Sequence, residues 1–297
     1  MDRVLIVGCG DIGRRVARLA RERGASVGAL SRSVEKDLEL IGLGVLPVGG
    51  DLDRAETLQE LPVGGATVFY FAPPPGGGDR DPRMRAFCAA LAGGEAPARV
   101  VYISTSGVYG DCGGAVVTEE TAPNPQTARA RRRLDAETAL RAWGAARKVP
   151  VIILRVTGIY GPGRLPVERI RSGQPVLRPE EAPYTNRIHA EDLARVCLAA
   201  AERGRDGEVF NVSDGHAGTM TEYFDAVADA CGLPRPPRVS MAEAREVMTP
   251  LMLSYIGESR RMDNARMLEG LGVRLLYPDL PSGIAASLEE SRTVRDD

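Results

Sequence analysis

The chain has 297 residues, of which 43% are hydrophobic and 26% charged, a composition that is typical of globular proteins and excludes a disordered or fibrous one. Its 38 Lys and Arg against 40 Asp and Glu leave a net charge of −2, so no overall field attracts nucleic acid or an anionic membrane, and small molecules are the expected partners. The 34 glycines and 21 prolines indicate many tight connections between short elements.

Six short apolar runs, bounded by glycine, proline or polar residues, predict buried β-strands. They are Arg3–Val7, Ser26–Leu30, Gly44–Val48, Thr67–Ala72, Arg99–Ser104 and Val151–Val156. Between them, apolar residues recur at helical spacing in Gly13–Arg23, Pro82–Leu91 and Ala130–Arg147. The alternation predicts an α/β architecture, a doubly wound parallel sheet covered by helices on both faces.

After residue 157 the pattern changes to Gly- and Pro-rich connections. Helices are predicted there at Ala190–Arg203 and Thr221–Cys231, with a short strand at Glu208–Val212. We therefore predict a cofactor-binding domain at residues 1–157 and a smaller substrate-binding part at residues 158–297. Since no Ser/Gly linker separates the two, we expect them to share a cleft.

The cysteine pattern favours a reducing cytoplasm, because the five cysteines form no C-x-x-C pair and their odd number cannot form a complete disulfide set. The N-terminal apolar run is broken by glycine and lacks the cleavage site of a secretory signal. No stretch approaches the roughly 18 apolar residues of a membrane helix. With only His189 and His216 and no cysteine cluster, we expect no metal site.

The sequence Gly-Cys-Gly-Asp-Ile-Gly at residues 8–13 follows the first predicted strand and leads into the first predicted helix. In this context Gly8 permits a sharp turn, Gly10 lets a pyrophosphate approach backbone N–H groups, and Gly13 permits close packing of helix on strand. We predict that this loop, with Asp11 and Ile12 at the start of the helix, binds a dinucleotide. The alternative is a tight turn without a ligand.

Ser31 and Arg32 follow the second strand, about 20 residues beyond the glycine motif, where an NAD enzyme typically has an acid for the ribose hydroxyls. An arginine beside small hydroxyl residues suits a 2′-phosphate instead. Such a charge-assisted contact contributes about 1.5–3 kcal/mol, a preference of roughly ten- to a hundredfold. We therefore predict NADP rather than NAD, with a solvated or adenine-stacking Arg32 as the alternative.

Two further loops are predicted to line the cofactor. Asp51 and Leu52 follow the third strand, where the Asp51 carboxylate can accept a hydrogen bond from an adenine amino group or cap a helix. Ala72 and Pro73 begin the stiff turn after the fourth strand, and we expect them beside the cofactor's path.

In their order and spacing, six segments resemble the NAD(P)-dependent epimerase/dehydratase family, that is, the extended and atypical short-chain dehydrogenases/reductases. They are Gly8–Gly13, Gly50–Leu52, Val101–Gly110, Leu154–Gly163, Arg187–Ala194 and Phe210–Asp214. The resemblance covers nearly the whole chain. It implies a Rossmann-type fold with a smaller C-terminal substrate-binding part, and pairing through sheet-flanking helices, so that a homodimer is expected.

The resemblance also places Thr105 at the family's catalytic Ser/Thr position, where a hydroxyl orients the substrate carbonyl. Independently, Thr105 stands at the carboxyl end of a predicted strand, where parallel sheets form their binding crevice. We therefore predict a catalytic role for Thr105. The alternative is a hydroxyl that caps the following turn.

One feature of the family is missing, namely the Tyr-x-x-x-Lys pair that hydride-transferring members usually carry in the next helix. Residues 125–140 contain neither Tyr nor Lys, and alignment on Leu134–Glu137 puts Arg129 at the tyrosine position and Arg133 at the lysine position. Arg133 can replace the lysine as a cationic anchor for the ribose or diphosphate. Arg129 is a poor proton donor at neutral pH, because the pKa of arginine lies above about 12.

In a first interpretation another group supplies the proton. Tyr109 is the leading candidate because it closely follows Thr105, although it can also pack beneath the substrate. The further candidates are Tyr160, Tyr184 and His189. His189 is alternatively a structural residue that starts a helix.

Two other interpretations stay open. Arg129 and the run Arg131–Arg133 either bind an anionic substrate whose reaction needs no phenol or form a solvated helix face. Alternatively, the protein is a catalytically silent NADP(H)-binding redox sensor or scaffold. Our leading hypothesis is an NADP(H)-dependent oxidoreductase or epimerase-like enzyme for a small carbonyl, alcohol or nucleotide-sugar-like substrate, with Thr105 and Tyr109 polarising the reacting oxygen.

Overall fold

The structure is a computed structural model that describes residues 1–296. Its strands, in chain order, are β1 (Arg3–Val7), β2 (Ser26–Ser31), β3 (Leu46–Gly49), β4 (Thr67–Tyr70), β5 (Arg99–Thr105), β6 (Val116–Val117), β7 (Val151–Val156), β8 (Gly158–Tyr160), β9 (Val176–Leu177), β10 (Tyr184–Thr185), β11 (Arg187–His189), β12 (Val209–Val212), β13 (Gly218–Thr219), β14 (Arg238–Val239) and β15 (Arg261–Met262). Its helices are α1 (Asp11–Glu22), α2 (Val34–Gly42), α3 (Pro82–Ala90), α4 (Ala128–Arg147), α5 (Val167–Arg171), α6 (Ala190–Arg203), α7 (Met220–Ala230), α8 (Met241–Val247), α9 (Pro250–Ile256), α10 (Ala265–Gly270) and α11 (Leu280–Asp296). Single 3₁₀ turns span Ala55–Leu58, Ser106–Tyr109 and Pro179–Glu181.

A seven-stranded parallel sheet with the order β12-β7-β5-β4-β1-β2-β3 forms the centre of the fold. The chain runs outward from β1 to β3 and then returns to β4 on the other side of β1. This reversal is the doubly wound arrangement, and it opens a crevice at the carboxyl ends of β1 and β4. The predicted fold class is therefore confirmed.

Both faces of the sheet are buried, which explains why its strands have nearly continuous apolar sequences. Successive residues of β1 alternate between two cores, with Ile6 in one and Leu5 and Val7 in the other. Helices α1 and α6 cover the first face, and α3 and α4 cover the second. The side chains thus hold the carboxyl ends of the strands in a fixed arrangement.

Helix α4 is the longest described helix, with 20 residues, and it carries the arginine run. The Thr127 side chain accepts a hydrogen bond from the Ala130 N–H at its N-terminus, and Lys148 in the left-handed conformation ends it. Among residues 1–296, no helix combines the length and apolarity needed to cross a membrane.

Most strand boundaries agree with the prediction, and the differences have local causes. The strand predicted from Gly44 begins at Leu46, because Gly44 has a φ of 66° and belongs to the turn that ends α2. The strand predicted to end at Ala72 ends at Tyr70, because the N–H groups of both Phe71 and Ala72 donate to the Val7 carbonyl.

The central sheet extends past the predicted division at residue 157. The short strand predicted at Glu208–Val212 is β12, which pairs with β7 as the outermost strand of the sheet. Helix α6 packs on α1. The C-terminal part has a core of its own, which includes Tyr160, Phe224 and Ile284. The central sheet is thus completed by a segment that follows the predicted boundary at residue 157.

Candidate active site

The glycine-rich loop connects β1 to α1 at the crevice. Gly8 has a φ of 96°, and a Cβ there would lie 2.5 Å from the backbone nitrogen of Ala72. A Cβ on Gly13 would lie 3.0 Å from the carbonyl oxygen of Gly8, whereas one on Gly10 would meet nothing within 4 Å. Gly8 and Gly13 therefore hold the loop, helix and neighbouring strand together, while Gly10 leaves open space at the N-terminus of α1.

The two residues between Gly10 and Gly13 have different roles. Ile12 is buried in the core. The carboxylate of Asp11 accepts hydrogen bonds from Arg15 at 3.1 Å and from Arg164 at 2.5 Å. Burial alone would raise the pKa of Asp11, but these two guanidinium groups outweigh it and hold the pKa below its ordinary value. The side chain of Asp11 thus links the loop to the C-terminal part.

At the end of β2, Arg32 is exposed and has no ion-pair partner within 4 Å among the described side chains. Ser31 is buried, and its hydroxyl donates to the Ser33 carbonyl at 3.2 Å. Lys36, in the first turn of α2, pairs with Glu39 at 2.8 Å. The structure therefore presents an unpaired cation at this end of the crevice.

The two loops predicted beside the cofactor lie at the same edge of the sheet. Asp51 closes a turn by accepting the Asp53 N–H at 3.0 Å, rather than capping a helix. Leu52 packs against the core. Ala72 is buried next to Gly8, and the Pro73 carbonyl accepts a hydrogen bond from Arg83 at 3.1 Å.

A cavity of about 320 Å³ opens beyond the carboxyl ends of β5 and β7 and includes Thr105. The Thr105 hydroxyl oxygen accepts the Gly107 N–H at 3.2 Å. Because this oxygen accepts, its own hydrogen can be donated to a substrate oxygen in the cavity. The capping role and the catalytic role of Thr105 are therefore compatible in this geometry.

Tyr109 does not line this cavity, in contrast to its predicted place beside the reacting oxygen. The 3₁₀ turn after Thr105 directs it into the core, where it is 1% exposed and its hydroxyl donates to Asn211 at 2.8 Å. The guanidinium of Arg155 lies 4.9 Å from its ring centre and pairs with Glu137 at 2.8 Å. Tyr109 thus belongs to a buried polar cluster beneath the site.

Of the other proposed proton donors, only Tyr184 lines the cavity. Tyr160 is buried, and its hydroxyl lies 3.4 Å from the Asp279 carbonyl. His189 caps α6, since its Nδ1 accepts the Glu191 N–H at 3.2 Å. Burial lowers the pKa of His189 to about 4. The geometry thus agrees with the alternative role of His189, that of a structural residue at the start of a helix.

The arginine run of α4 is divided between several environments. Only Arg129 lines the cavity. Arg131 pairs with Asp79 at 2.9 Å, and Arg132 donates to the Gly78 carbonyl at 2.7 Å. Arg133 donates to the Ile103 carbonyl at 2.9 Å and lies beside β5. Successive residues of a helix point in different directions, so the four arginines do not form one continuous surface.

Sequence reasoning missed residues that line the cavity from the C-terminal part. Arg129 donates a hydrogen bond of 2.6 Å to the hydroxyl of Tyr255, and its guanidinium carbon lies 4.6 Å from the centre of that ring. Arg187 and Arg260 line the same cavity. Arg187 begins one of the segments that carry the family resemblance, but nothing in the sequence near Tyr255 or Arg260 indicates which segment they face.

Comparison with known proteins identifies relatives of the chain. The family model described as "NAD dependent epimerase/dehydratase family" matches residues 4–213. The chain is 28% identical over 209 residues to the dTDP-glucose 4,6-dehydratase of Actinoplanes sp., which covers 66% of this chain and 61% of that protein. It is 26% identical over 240 residues to 4-hydroxy-2-methyl-3-oxo-4-farnesyl-3,4-dihydroquinoline-1-oxide ketoreductase of Stigmatella aurantiaca, which covers 76% of this chain and 72% of that protein. The matched part of this chain thus spans less than two thirds of the dehydratase's length.

Two solved structures have a similar fold over nearly the whole chain. A conserved protein of unknown function from Silicibacter pomeroyi DSS has a TM-score of 0.80 and 30% identity, with 98% of this chain and 99% of that one covered. MoeE5 in complex with UDP-glucose and NAD has a TM-score of 0.76 and 25% identity, with 99% of this chain and 100% of that one covered.

Proposed function

The chain belongs to the NAD dependent epimerase/dehydratase family, and from this premise we propose that it is an NADP(H)-dependent oxidoreductase or epimerase-like enzyme. Its substrate would be a small carbonyl, alcohol or nucleotide-sugar-like compound. The main support is the position of Thr105 in a cavity at the carboxyl ends of β5 and β7, beside the crevice of the glycine-rich loop. Polar groups that converge beside this crevice favour an enzyme over a catalytically silent sensor.

The residues of the crevice fit a dinucleotide. The open space at Gly10 accommodates a pyrophosphate against the N-terminus of α1. Arg32 offers an unpaired guanidinium to a 2′-phosphate. A bound nicotinamide supplies or accepts a hydride, and Thr105 would orient and polarise the reacting oxygen by donating its hydroxyl hydrogen to it.

We assign the proton transfer to Tyr255. A guanidinium has no acceptor, so the 2.6 Å contact makes the phenol oxygen accept from Arg129 and leaves the phenol hydrogen free to be donated elsewhere. Tyr255 lines the same cavity as Thr105. The phenol of Tyr255 on α9, next to the guanidinium of Arg129 on α4, would thus take the place of the tyrosine in the missing Tyr-x-x-x-Lys pair. Arg133, which lies beside β5, would take the place of the lysine.

Calorimetric titration with NADPH and NADH at one ionic strength tests the cofactor assignment. We expect Arg32→Ala to weaken NADPH binding about ten- to a hundredfold and to leave NADH binding unchanged, because the variant loses only the contact with the 2′-phosphate. Arg235→Ala is the control, since Arg235 is an exposed arginine that pairs with Asp229 in the C-terminal part. Equal losses for both cofactors would remove Arg32 from phosphate recognition.

Turnover tests the assignment of Thr105 and Tyr255, with NADPH oxidation followed over a panel of carbonyl substrates. Thr105→Ala and Tyr255→Phe should each lower turnover of a reduced substrate, the latter by about 10²–10⁴ as expected for lost acid catalysis. NADPH affinity should stay the same. Tyr184→Phe is the matched control, because it removes the other phenol of the cavity. A greater loss for Tyr184→Phe than for Tyr255→Phe would reassign the proton.

A further inference from the structure

The cavity beside Thr105 carries more positive than negative charge. Four arginines line it, Arg129, Arg164, Arg187 and Arg260. Glu258 is the one carboxylate of its lining in the part of the chain that the structure describes. Arg260 pairs with Glu258 at 2.8 Å, and Arg164 pairs with Asp11 at 2.5 Å. The remaining two guanidinium groups, those of Arg129 and Arg187, have no carboxylate within 4 Å among the side chains that the structure describes.

Arg187 is a half-buried cation whose hydrogen-bonding capacity is mostly unused. Its guanidinium carbon lies 3.7 Å from the centre of the Tyr223 ring, so one face is covered by an aromatic side chain. Its Nη2 has only distant partners, the Thr185 hydroxyl at 3.4 Å and the Met220 sulfur at 3.5 Å. The charge of Asp214 acts on it from beyond ion-pair distance. Stacking on an aromatic face leaves the N–H groups at the edge of the guanidinium available.

Gly158 leaves this edge uncovered. β8 and β11 pair so that Gly158 lies opposite Arg187. A Cβ on Gly158 would lie 3.2 Å from Nη1 of Arg187 and 3.2 Å from the carbonyl oxygen of Asn186, both closer than ordinary contact. Gly158 does not have a positive φ, so these two contacts, rather than its own backbone conformation, favour glycine there. The absence of a side chain at this position therefore keeps the space in front of the guanidinium free.

Arg129 is the second unpaired cation of the cavity. Its guanidinium also lies on an aromatic ring, that of Tyr255, and one of its N–H groups donates a hydrogen bond to the phenol oxygen. Two planar guanidinium groups with free edges are suited to the paired oxygens of a carboxylate or a phosphate. A half-buried charge without a carboxylate at ion-pair distance is costly, and a bound anion would offset that cost for Arg187.

We propose that this cavity binds a compact anionic group of the substrate, a carboxylate or a phosphate monoester, on Arg187 with Arg129 as a second cation. The proposal rests on the proposed function, because Thr105 lines the same cavity and would act on the oxygen of the same molecule. It narrows the substrate to a keto or hydroxy acid or its phosphate-ester counterpart. The anionic group then lies near the reacting carbon rather than at the far end of a nucleotide.

Binding of small anions tests the proposal without any turnover. The full-length protein, with NADPH present, is titrated calorimetrically with malonate and with inorganic phosphate, and with malonamide as the neutral counterpart of malonate. We expect at least one anion to bind and malonamide not to bind. Arg187→Gln should weaken anion binding at least tenfold, as expected for a lost charge-assisted contact. Arg235→Gln, remote from the cavity, should leave it unchanged.

A second variant keeps the test valid if Arg187→Gln does not fold, as judged by thermal unfolding. Gly158→Ala retains both arginines and adds a methyl group in front of Arg187, and it should also weaken anion binding. Equal binding to wild type and both variants would overturn the proposal. So would equal affinity for malonate and malonamide, or binding of UDP that depends on Arg187 while neither small anion binds. NADPH affinity is measured in the same samples, so that a failure of the cofactor assignment is seen separately.

Discussion

Gly8 and Gly10 are two residues apart, yet glycine occupies the two positions for different reasons. At Gly8 the missing Cβ is a requirement of the fold, because the residue has a φ of 96° and touches the backbone of Ala72. At Gly10 nothing in the protein lies within 4 Å of the Cβ position, so the fold alone does not demand glycine. Glycine at position 10 therefore leaves room that a ligand at this loop would need.

Alanine substitutions separate these two requirements. Gly8→Ala should lower the free energy of unfolding by more than about 2 kcal/mol, through the contact with Ala72 and the strained backbone. Gly10→Ala should change stability by less than about 1 kcal/mol and weaken NADPH binding at least tenfold, since the methyl group enters the pyrophosphate space. Urea unfolding and calorimetry measure the two effects. Equal NADPH affinity for Gly10→Ala and wild type would contradict a pyrophosphate at this loop.

The residues of the candidate site differ in how far they could be predicted. The glycine loop, Arg32 and Thr105 were singled out because each follows a strand, and a local pattern of strand and turn is visible in the sequence. Tyr255 and Arg187 were not singled out. They reach the cavity from loosely patterned segments, and Tyr255 contacts a residue 126 positions away. Tyr109 was misplaced because closeness in sequence to Thr105 does not reveal the direction of a 3₁₀ turn.

At the scale of elements, the end of β12 brings a buried carboxylate beside the C-terminal core. Asp214 is 7% exposed, and its backbone N–H donates to the Arg187 carbonyl. One carboxylate oxygen accepts the His216 N–H at 2.9 Å, and the other has no partner among the residues that the structure describes. Burial raises the pKa of Asp214 to about 6, although the His216 N–H and Arg187 act against it.

This pKa predicts a pH-dependent stability difference for Asp214→Asn. Between about pH 4 and 6 the folded protein keeps a proton that the unfolded chain has lost, so Asp214 makes wild type less stable as pH rises through this window. The asparagine variant lacks this loss. Its stability relative to wild type should therefore increase from pH 4 to 6 by on the order of 2–3 kcal/mol and then level off.

Urea unfolding of both proteins at pH 4, 5, 6 and 7 measures that difference. His189 has the opposite effect on stability, because its folded pKa of about 4 lies below that of the unfolded chain. It is present in both proteins and cancels in the comparison. A difference that does not vary with pH would show that Asp214 titrates normally.

Elements were predicted most reliably where one physical signal dominates. The bounds of β1, β7 and α6 agree with the prediction, because continuous apolar runs or helical spacing end there at clear breaks. The place of β12 in the sheet was not predicted. A strand of four residues carries no information on which strand it pairs with. Several short elements, from β8 to β11, and helix α6 also separate β12 from its partner β7 in the chain.

At the scale of the whole molecule, the Asp11–Arg164 pair connects the glycine-rich loop to a segment that lines the cavity beside Thr105. Asp11 places a negative charge at the N-terminus of α1, where a pyrophosphate would bring more negative charge. Arg164, together with Arg15, offsets the charge of Asp11. The position of the C-terminal part and the charge at the glycine-rich loop are therefore linked.

A double-mutant cycle measures this link. Arg164→Gln should weaken NADPH binding by up to about fivefold, since an exposed pair contributes about 1 kcal/mol or less and its loss leaves Arg15 as the remaining cation on Asp11. Adding Asp11→Asn should restore the affinity to within about twofold of wild type. Calorimetry of the four proteins gives the result. Purely additive losses would mean that the two residues act independently on the cofactor.

The late position of β12 in the chain also determines when the sheet can be completed during synthesis. About 50 residues separate the end of β7 from the start of β12, which at roughly 5–20 residues per second is several seconds of translation. Throughout that interval the outer edge of β7, an apolar strand, has no neighbour. Helix α6, which covers α1, is complete only a few residues before β12 begins. The nascent protein thus exposes an unpaired strand edge until residue 212 has left the ribosome, and such an edge can pair with another chain and promote aggregation.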